Sequence, residues 1–183
     1  MHNMESKPKN QARGRKTARA DPGTIDISEE FFRITRTFNK HRVRYCVVGG
    51  MAVGFYADPR FTDDIDVIVD RKQVARARSI LEAVEYIETA PPWTFQSTRL
   101  TLYRFMKIRN RDSLVLDVLA GDQARHDEIL RRASRVRTPH GIVRVALPED
   151  LIWMKRIRNS DLDKADIERL KSHAYRENTG KDS

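Results

Sequence analysis

Two aspartates separated by one apolar residue, at the opening of a strand-like run, constrain this chain more than any other feature. The stretch from Val47 to Val69 reads as a buried strand, a Gly49-Gly50 turn into a short helix, a polar loop, and a second strand that begins Asp64-Ile65-Asp66. Alternate residues of a strand share a face, so Asp64 and Asp66 project side by side. Carboxylates held that close repel unless something positive lies between them. A divalent metal is the usual answer.

Around that stretch, the elements read as follows. Ser28 is placed as the N-cap of a first helix running to about Arg42, with Phe31, Ile34, Thr35 and Phe38 at helical spacing. Val43 to Val48 and Asp64 to Val69 are rich in β-branched residues and read as strands. Arg71 to Val84 carries Val74, Ala77, Leu81 and Val84 on one stripe, the pattern of an amphipathic helix. After Pro91-Pro92, the residues Leu100, Leu102, Met106 and Ile108 share one parity, and Thr101, Tyr103 and Lys107 the other, which predicts a half-buried strand. A turn over 110–113 returns the chain as Leu114 to Leu119, antiparallel to its predecessor. A short helix over 126–133, a hairpin over 136–146 turning at Pro139-His140-Gly141, a helix from Pro148 and a last helix over 163–176 complete the expectation.

On the returning strand, Asp117 is enclosed by Val115, Leu116, Val118 and Leu119, and an acid in so apolar a strand needs a reason. Asp64 and Asp66 from one strand, with Asp117 from a neighbour, form the expected catalytic and metal-binding set. Asp63 faces the other way, and Asp70 reads as a helix cap. Mg²⁺ takes hard oxygen ligands in octahedral geometry, and three carboxylates suit two ions that would hold a leaving triphosphate and an attacking hydroxyl. Gly49 and Gly50 permit close backbone approach, and free N–H groups at the helix start can hold phosphates; a plain reversal of the chain would use the same residues. A P-loop is excluded, since Phe55-Tyr56 stand after Gly54 where Lys and Ser or Thr are required. The histidines show no metal-ligand spacing, and Cys46, the sole cysteine, reads as a small buried hydrophobe.

The order Gly49-Gly50, a spacer over 51–63, Asp64-Ile65-Asp66-Val67 and the later Asp117 resembles the signature of the nucleotidyltransferase superfamily, which shares the polymerase-beta palm. The finer run Arg60-Phe61-Thr62-Asp63-Asp64-Ile65-Asp66 resembles the minimal branch that includes AbiEii-type abortive-infection toxins and small antibiotic nucleotidyltransferases, over roughly Tyr45 to Leu170. The resemblance implies an α/β (α+β) fold with a mixed, mostly antiparallel sheet flanked by helices, two Mg²⁺ ions and an NTP donor. In that branch a late lysine, an arginine and a Lys-Asp-x-x-Asp element line the nucleotide site. Lys155, Arg158, Asp163 and Asp166 occupy comparable places, with Leu162 where the second lysine would stand. Lys155 is thus expected on a nucleotide phosphate, against a place at the edge of the core. Arg60 and Thr62 flank the metal pair and are expected to bind nucleotide, against a role in holding their own turn. Asp161 and Asp163 serve equally well as helix caps.

At 183 residues the chain suits one domain, placed at 25–176 between a basic arm over 1–24 and a tail over 177–183. No apolar run reaches membrane-spanning length and the first residues lack a signal-like apolar core, so a cytoplasmic location is expected. A formal net charge of +9 predicts attraction to polyanions. The leading expectation is transfer of a nucleoside monophosphate from an NTP, ATP among them, to an acceptor hydroxyl or phosphate. RNA, tRNA in particular, is the preferred acceptor, and a toxin-like enzyme with an antitoxin partner fits the size. A small antibiotic acceptor is the alternative within the same chemistry. A non-catalytic, basic module that binds nucleic acid or a partner is the alternative outside it.

Overall fold

The computed structural model describes residues 24–179, with side chains as far as 172. The expected arm over 1–24 lies outside the described residues except for Thr24. Helix α1 spans Ile27–Lys40 and opens two residues earlier than a cap at Ser28 would place it. Asp26 is its cap, accepting the N–H groups of Ser28 and Glu29 at 2.8 and 3.1 Å. A carboxylate does this better than a hydroxyl because it also meets the positive end of the helix dipole.

The chain then lays down β1 (Tyr45–Val48), α2 (Gly49–Val53), β2 (Asp64–Val69) and α3 (Val74–Glu82). Asp70 caps the 3-10 turn that leads into α3, accepting from the Lys72 N–H at 2.9 Å. Two short strands, β3 (Ile87–Glu88) and β4 (Trp93–Thr94), precede the long hairpin of β5 (Thr101–Arg109) and β6 (Asp112–Ala120). The hairpin turn is tighter than expected, with Arg109 paired to Asp112 and Asn110 at a φ of 55°. Helix α4 (Ala124–Arg132), the hairpin β7 (Ser134–Thr138) and β8 (Gly141–Val145), and helices α5 (Pro148–Arg158) and α6 (Asp161–Thr179) follow.

All eight described strands form one sheet in the order β3-β5-β6-β2-β1-β8-β7, with β4 also on β5. The pairings β1–β8 and β2–β6 are parallel and the others antiparallel, so the sheet is mixed and mostly antiparallel. Alternation along β1 separates two helical layers. Tyr45 packs against Phe38 of α1 with the rings tilted and their centroids 5.5 Å apart. The preceding residue, Arg44, reaches the other way and donates to the Asp127 carbonyl on α4 at 3.1 Å. The α1 side holds Phe31, Ile34 and Phe38 in the core, and the α4 side carries the carboxylates.

Parity in β5 departs from expectation. Phe105 and Lys107 are buried while Ile108 is 58% exposed. The odd residues face α1, and among the described residues the even face is covered only where it meets the cavity described below, which leaves Ile108 at the hairpin tip exposed. Lys107 tolerates burial because its Nζ lies 3.0 Å from Glu30 and 3.1 Å from Glu85. His126 is also buried, its Nε2 at 2.9 Å from the Thr98 carbonyl and its Nδ1 accepting the Gln123 N–H at 3.4 Å. Gly121 makes room for it, since a Cβ there would lie 1.8 Å from Nδ1.

Candidate active site

The parallel pairing of β2 with β6 sets Asp66 directly beside Asp117, and Asp64 lies two residues back on the same face. One carboxylate oxygen from each of the three lies within 4.8 Å of the others. Asp63, just before the strand, is exposed and outside this group. Thr62 donates its hydroxyl to Asp64 Oδ1 at 2.9 Å. Asp117 is held by Arg104 of β5, whose Nε and Nη2 donate to Oδ1 and Oδ2 at 2.9 and 2.7 Å. Asp66 sits between two acids, and burial, then the charges of Asp64 and Asp117, push its pKa up to about 7.

Gly49 explains why the turn before α2 is glycine. Its φ is +65°, and a Cβ there would lie 1.9 Å from Asp66 Oδ2. Any side chain would strike the central carboxylate as well as strain the backbone. At Gly50 a Cβ would come within 2.8 Å of the Thr62 hydroxyl and 3.0 Å of Arg60 Nη2.

The three carboxylates form one wall of a cavity of about 280 Å³. Gly49, Arg104, Lys155 and Arg158 also line it, with Leu102, Leu119 and Met154 as apolar surface. Of the residues singled out in the sequence, Gly49, Asp64, Asp66, Asp117 and Lys155 therefore meet at the cavity. Gly50, Arg60 and Thr62 stand behind it. Arg60 is turned onto Asp166, with Nε at 2.9 Å from Oδ1 and Nη2 at 2.8 Å from Oδ2.

Lys155 is 4% exposed and donates to Asp166 at 2.8 Å and to Asp163 at 3.3 Å. Arg158 grips Asp163 with Nε and Nη2 at 2.7 and 2.6 Å. Burial alone would raise the pKa of both acids. Hydrogen bonds from Arg158 and Ser160 on Asp163, and from Arg60 and Lys155 on Asp166, outweigh it and hold both below the usual carboxylate range. Asp163 also closes a capping box at the start of α6, its carboxylate accepting the Ser160 N–H at 3.2 Å while the capping Ser160 hydroxyl accepts the Asp163 N–H at 3.1 Å. Leu162, in the place of the branch's lysine, is about half-exposed.

The trio fits a divalent cation. It offers oxygen donors alone, on neighbouring strands, and the charges of Asp64 and Asp117 add to burial in raising the pKa of Asp66. Arg104 was not evident among the sequence's candidate residues, although one signal was present: it interrupts the apolar parity of Leu100, Leu102, Met106 and Ile108.

A Gly turn, an Asp-x-Asp strand and a third aspartate on the adjacent strand of a mixed sheet form the arrangement that the resemblance to nucleotidyltransferases implies. The chain belongs to the family described as nucleotidyltransferase of unknown function (DUF6036), whose model matches residues 25–172. Among solved structures it is similar to ANT(2'')-Ia in complex with adenylyl-2''-tobramycin, at 16% identity and a TM-score of 0.54 over 84% of this chain and 90% of that one. A putative nucleotidyltransferase from Thermotoga maritima aligns at 13% identity and a TM-score of 0.56, covering 78% and 89%. The lincosamide antibiotic adenylyltransferase LnuA, bound to lincomycin, aligns at 16% and 0.54, covering 79% and 96%. At such identities the likeness is one of fold. No curated protein matches the sequence. Among the described residues, no helix is long and apolar enough to cross a membrane.

Proposed function

We propose that this protein moves a nucleoside monophosphate from an NTP to an acceptor hydroxyl or phosphate, with Mg²⁺ held by Asp64, Asp66 and Asp117. The observation that carries the reading is the convergence of these three carboxylates, within 4.8 Å, on the wall of a cavity whose other side presents Lys155 and Arg158. Bound there, magnesium supplies Lewis-acid stabilisation of the attacking and leaving oxygens. The chain's own residues do the positioning. The Gly49-Gly50 turn lets backbone approach the triphosphate closely. Lys155 has a third ammonium proton beyond the two that Asp163 and Asp166 accept, and it directs that donor to a phosphate. Arg60 acts on the nucleotide at one remove, by fixing Asp166 and so Lys155, and Thr62 does so by orienting Asp64.

For the acceptor we favour RNA, tRNA in particular. The net charge of +9 and the cations Arg104, Lys155 and Arg158 at the cavity support a phosphate-bearing partner. The likeness of Arg60 to Asp66 to the abortive-infection branch extends this to a toxin-like enzyme with an antitoxin protein as partner. The ANT(2'')-Ia and LnuA folds keep a small antibiotic acceptor as the second reading.

The test is a labelling assay with each α-labelled NTP, Mg²⁺, and total RNA, an aminoglycoside or a lincosamide, with wild type beside Asp66→Asn. Label in RNA from the wild type alone is the expected result. Equal label from both proteins refutes the site, label on an antibiotic alone moves the acceptor to the second reading, and no NTP binding by thermal shift leaves the non-catalytic module.

A further inference from the structure

The three carboxylates of the cavity are not equivalent, and the difference lies in Arg104. It stands on β5 in register with Asp117, and its planar fork engages both carboxylate oxygens, at 2.9 and 2.7 Å. Such bidentate charge-assisted pairs are strong and directional. Asp64 takes a hydroxyl from Thr62 instead. One of three metal-binding groups is thus already matched by a cation of the protein. That cation is poorly anchored elsewhere: its side chain is 47% exposed on the cavity wall, whereas that of Asp117 is 9% exposed.

Resting on the metal-site reading above, we propose that Arg104 is a positioning residue that competes with the second divalent ion for Asp117. In the nucleotide-free chain a first ion is held chiefly by Asp64 and Asp66. Full use of Asp117 waits until a triphosphate draws the guanidinium away. The exchange is chemically balanced, because a guanidinium fork fits phosphate oxygens as well as carboxylate oxygens. It also follows from charge: a guanidinium and a divalent ion on one carboxylate repel each other, so each weakens the other's hold. Metal and nucleotide then bind with positive coupling, and each raises the affinity for the other by the same factor. A lysine at this position would form one bond where arginine forms two, and would release Asp117 more readily.

The test is Mn²⁺ binding to the full chain, by calorimetry and by electron paramagnetic resonance, for wild type, Arg104→Gln and Arg104→Lys, with and without an NTP analogue whose α,β bond cannot be cleaved. Without nucleotide the wild type is expected to bind one ion. Arg104→Gln is expected to bind a second, or to bind the first about tenfold more tightly, equivalent to about 1.4 kcal/mol. Arg104→Lys falls between them, and the analogue brings the wild type to two ions and removes the difference. Arg104→Gln with wild-type stoichiometry and affinity, or with weaker binding, overturns the proposal. Should that variant fail to fold by circular dichroism, Arg104→Lys decides alone, and binding no tighter than wild type has the same meaning. A wild type that binds no Mn²⁺ in either condition removes the metal site itself, which separates that failure from the failure of Arg104's role.

Discussion

Asp66→Asn should make the metal-free protein more stable at alkaline pH, although it destroys the proposed site. The carboxyl of Asp66 is raised from an ordinary 3.8 to about 7 by burial and by its neighbours Asp64 and Asp117. Its folded value exceeds its unfolded one, so the fold favours the protonated form. That stabilisation is complete below about pH 3.8 and is lost as pH rises through about 7. The full span corresponds to at most about 4 kcal/mol, at about 1.4 kcal/mol per pKa unit. Water reaches this half-buried group and screens it, which brings a working figure to about 2 kcal/mol. For a domain of this size that is a shift of about 4–8 °C in Tm. Asparagine cannot ionise and avoids the loss. Thermal melts by circular dichroism from pH 4 to 8.5, in EDTA, should therefore give nearly equal Tm values for the two proteins at pH 4 and a variant higher by about 4–8 °C at pH 8. Adding Mg²⁺ at pH 8 should raise the wild type and leave the variant unmoved. A gap that is absent or reversed at pH 8 in EDTA, or one that does not narrow on acidification, would refute the account of Asp66 as an uncompensated buried charge.

Gly49→Ala should abolish nucleotide transfer and weaken Mn²⁺ binding, with about 1–2 kcal/mol of lost stability from the left-handed backbone alone; wild-type Mn²⁺ affinity in a calorimeter would contradict the 1.9 Å approach of a Cβ to Asp66. Glu30→Ala should cost about 3 kcal/mol in urea unfolding, because it leaves the buried Lys107 without its nearest carboxylate; Lys107→Met in the same background should restore most of that loss, and no recovery would count against the charge explanation. Cys46, whose thiol burial pushes up to about 12, should resist iodoacetamide in the native protein at pH 8 and react only on unfolding. Rapid native alkylation, followed by mass spectrometry, would show that β1 is not closed.

The Asp64 and Asp66 pair was legible because strand parity is a local property, and Asp117 because an acid in Leu-Val-Leu-Asp-Val-Leu violates it. Their meeting, expected from the chemistry of a three-carboxylate set, is not a local property. It depends on β6 joining β2 in parallel, with Asp66 beside Asp117, after 50 intervening residues have formed a helix and the β5 hairpin partner. The parity of β5 misled for a related reason. Which face of a strand is buried is decided by what covers it, and α1 covers the face holding Lys107 while nothing among the described residues covers Ile108. The capping of α1 by Asp26 rather than Ser28 is a smaller case, in which two capping-type residues two positions apart compete and the carboxylate is the one used.

The late helices show why motif spacing understated the site. From sequence, Asp163 reads as a helix cap or as a member, with Asp166, of a nucleotide-lining element, and in the fold it accepts both from the Ser160 N–H at the start of α6 and from Arg158 on the cavity wall. Asp166 does something neither reading contains. It is fully buried and accepts from Arg60, which belongs to the loop that leads into β2, and from Lys155, which faces the cavity. One carboxylate therefore joins the segment that delivers Asp64 and Asp66 to the cation opposite them, across 106 residues of chain on one side. Cations tied in this way attract a polyanion less than free ones would, since Asp163, Asp166 and Asp117 already neutralise much of Lys155, Arg158 and Arg104. What they retain is direction. The donors left over after pairing, such as the third proton of Lys155, are held to narrow arcs over the cavity by partners that are themselves buried. On the proposed reading, the chain's excess positive charge would serve encounter with an anionic substrate, whereas the paired cations of the cavity would serve its alignment, and the two are carried by different residues.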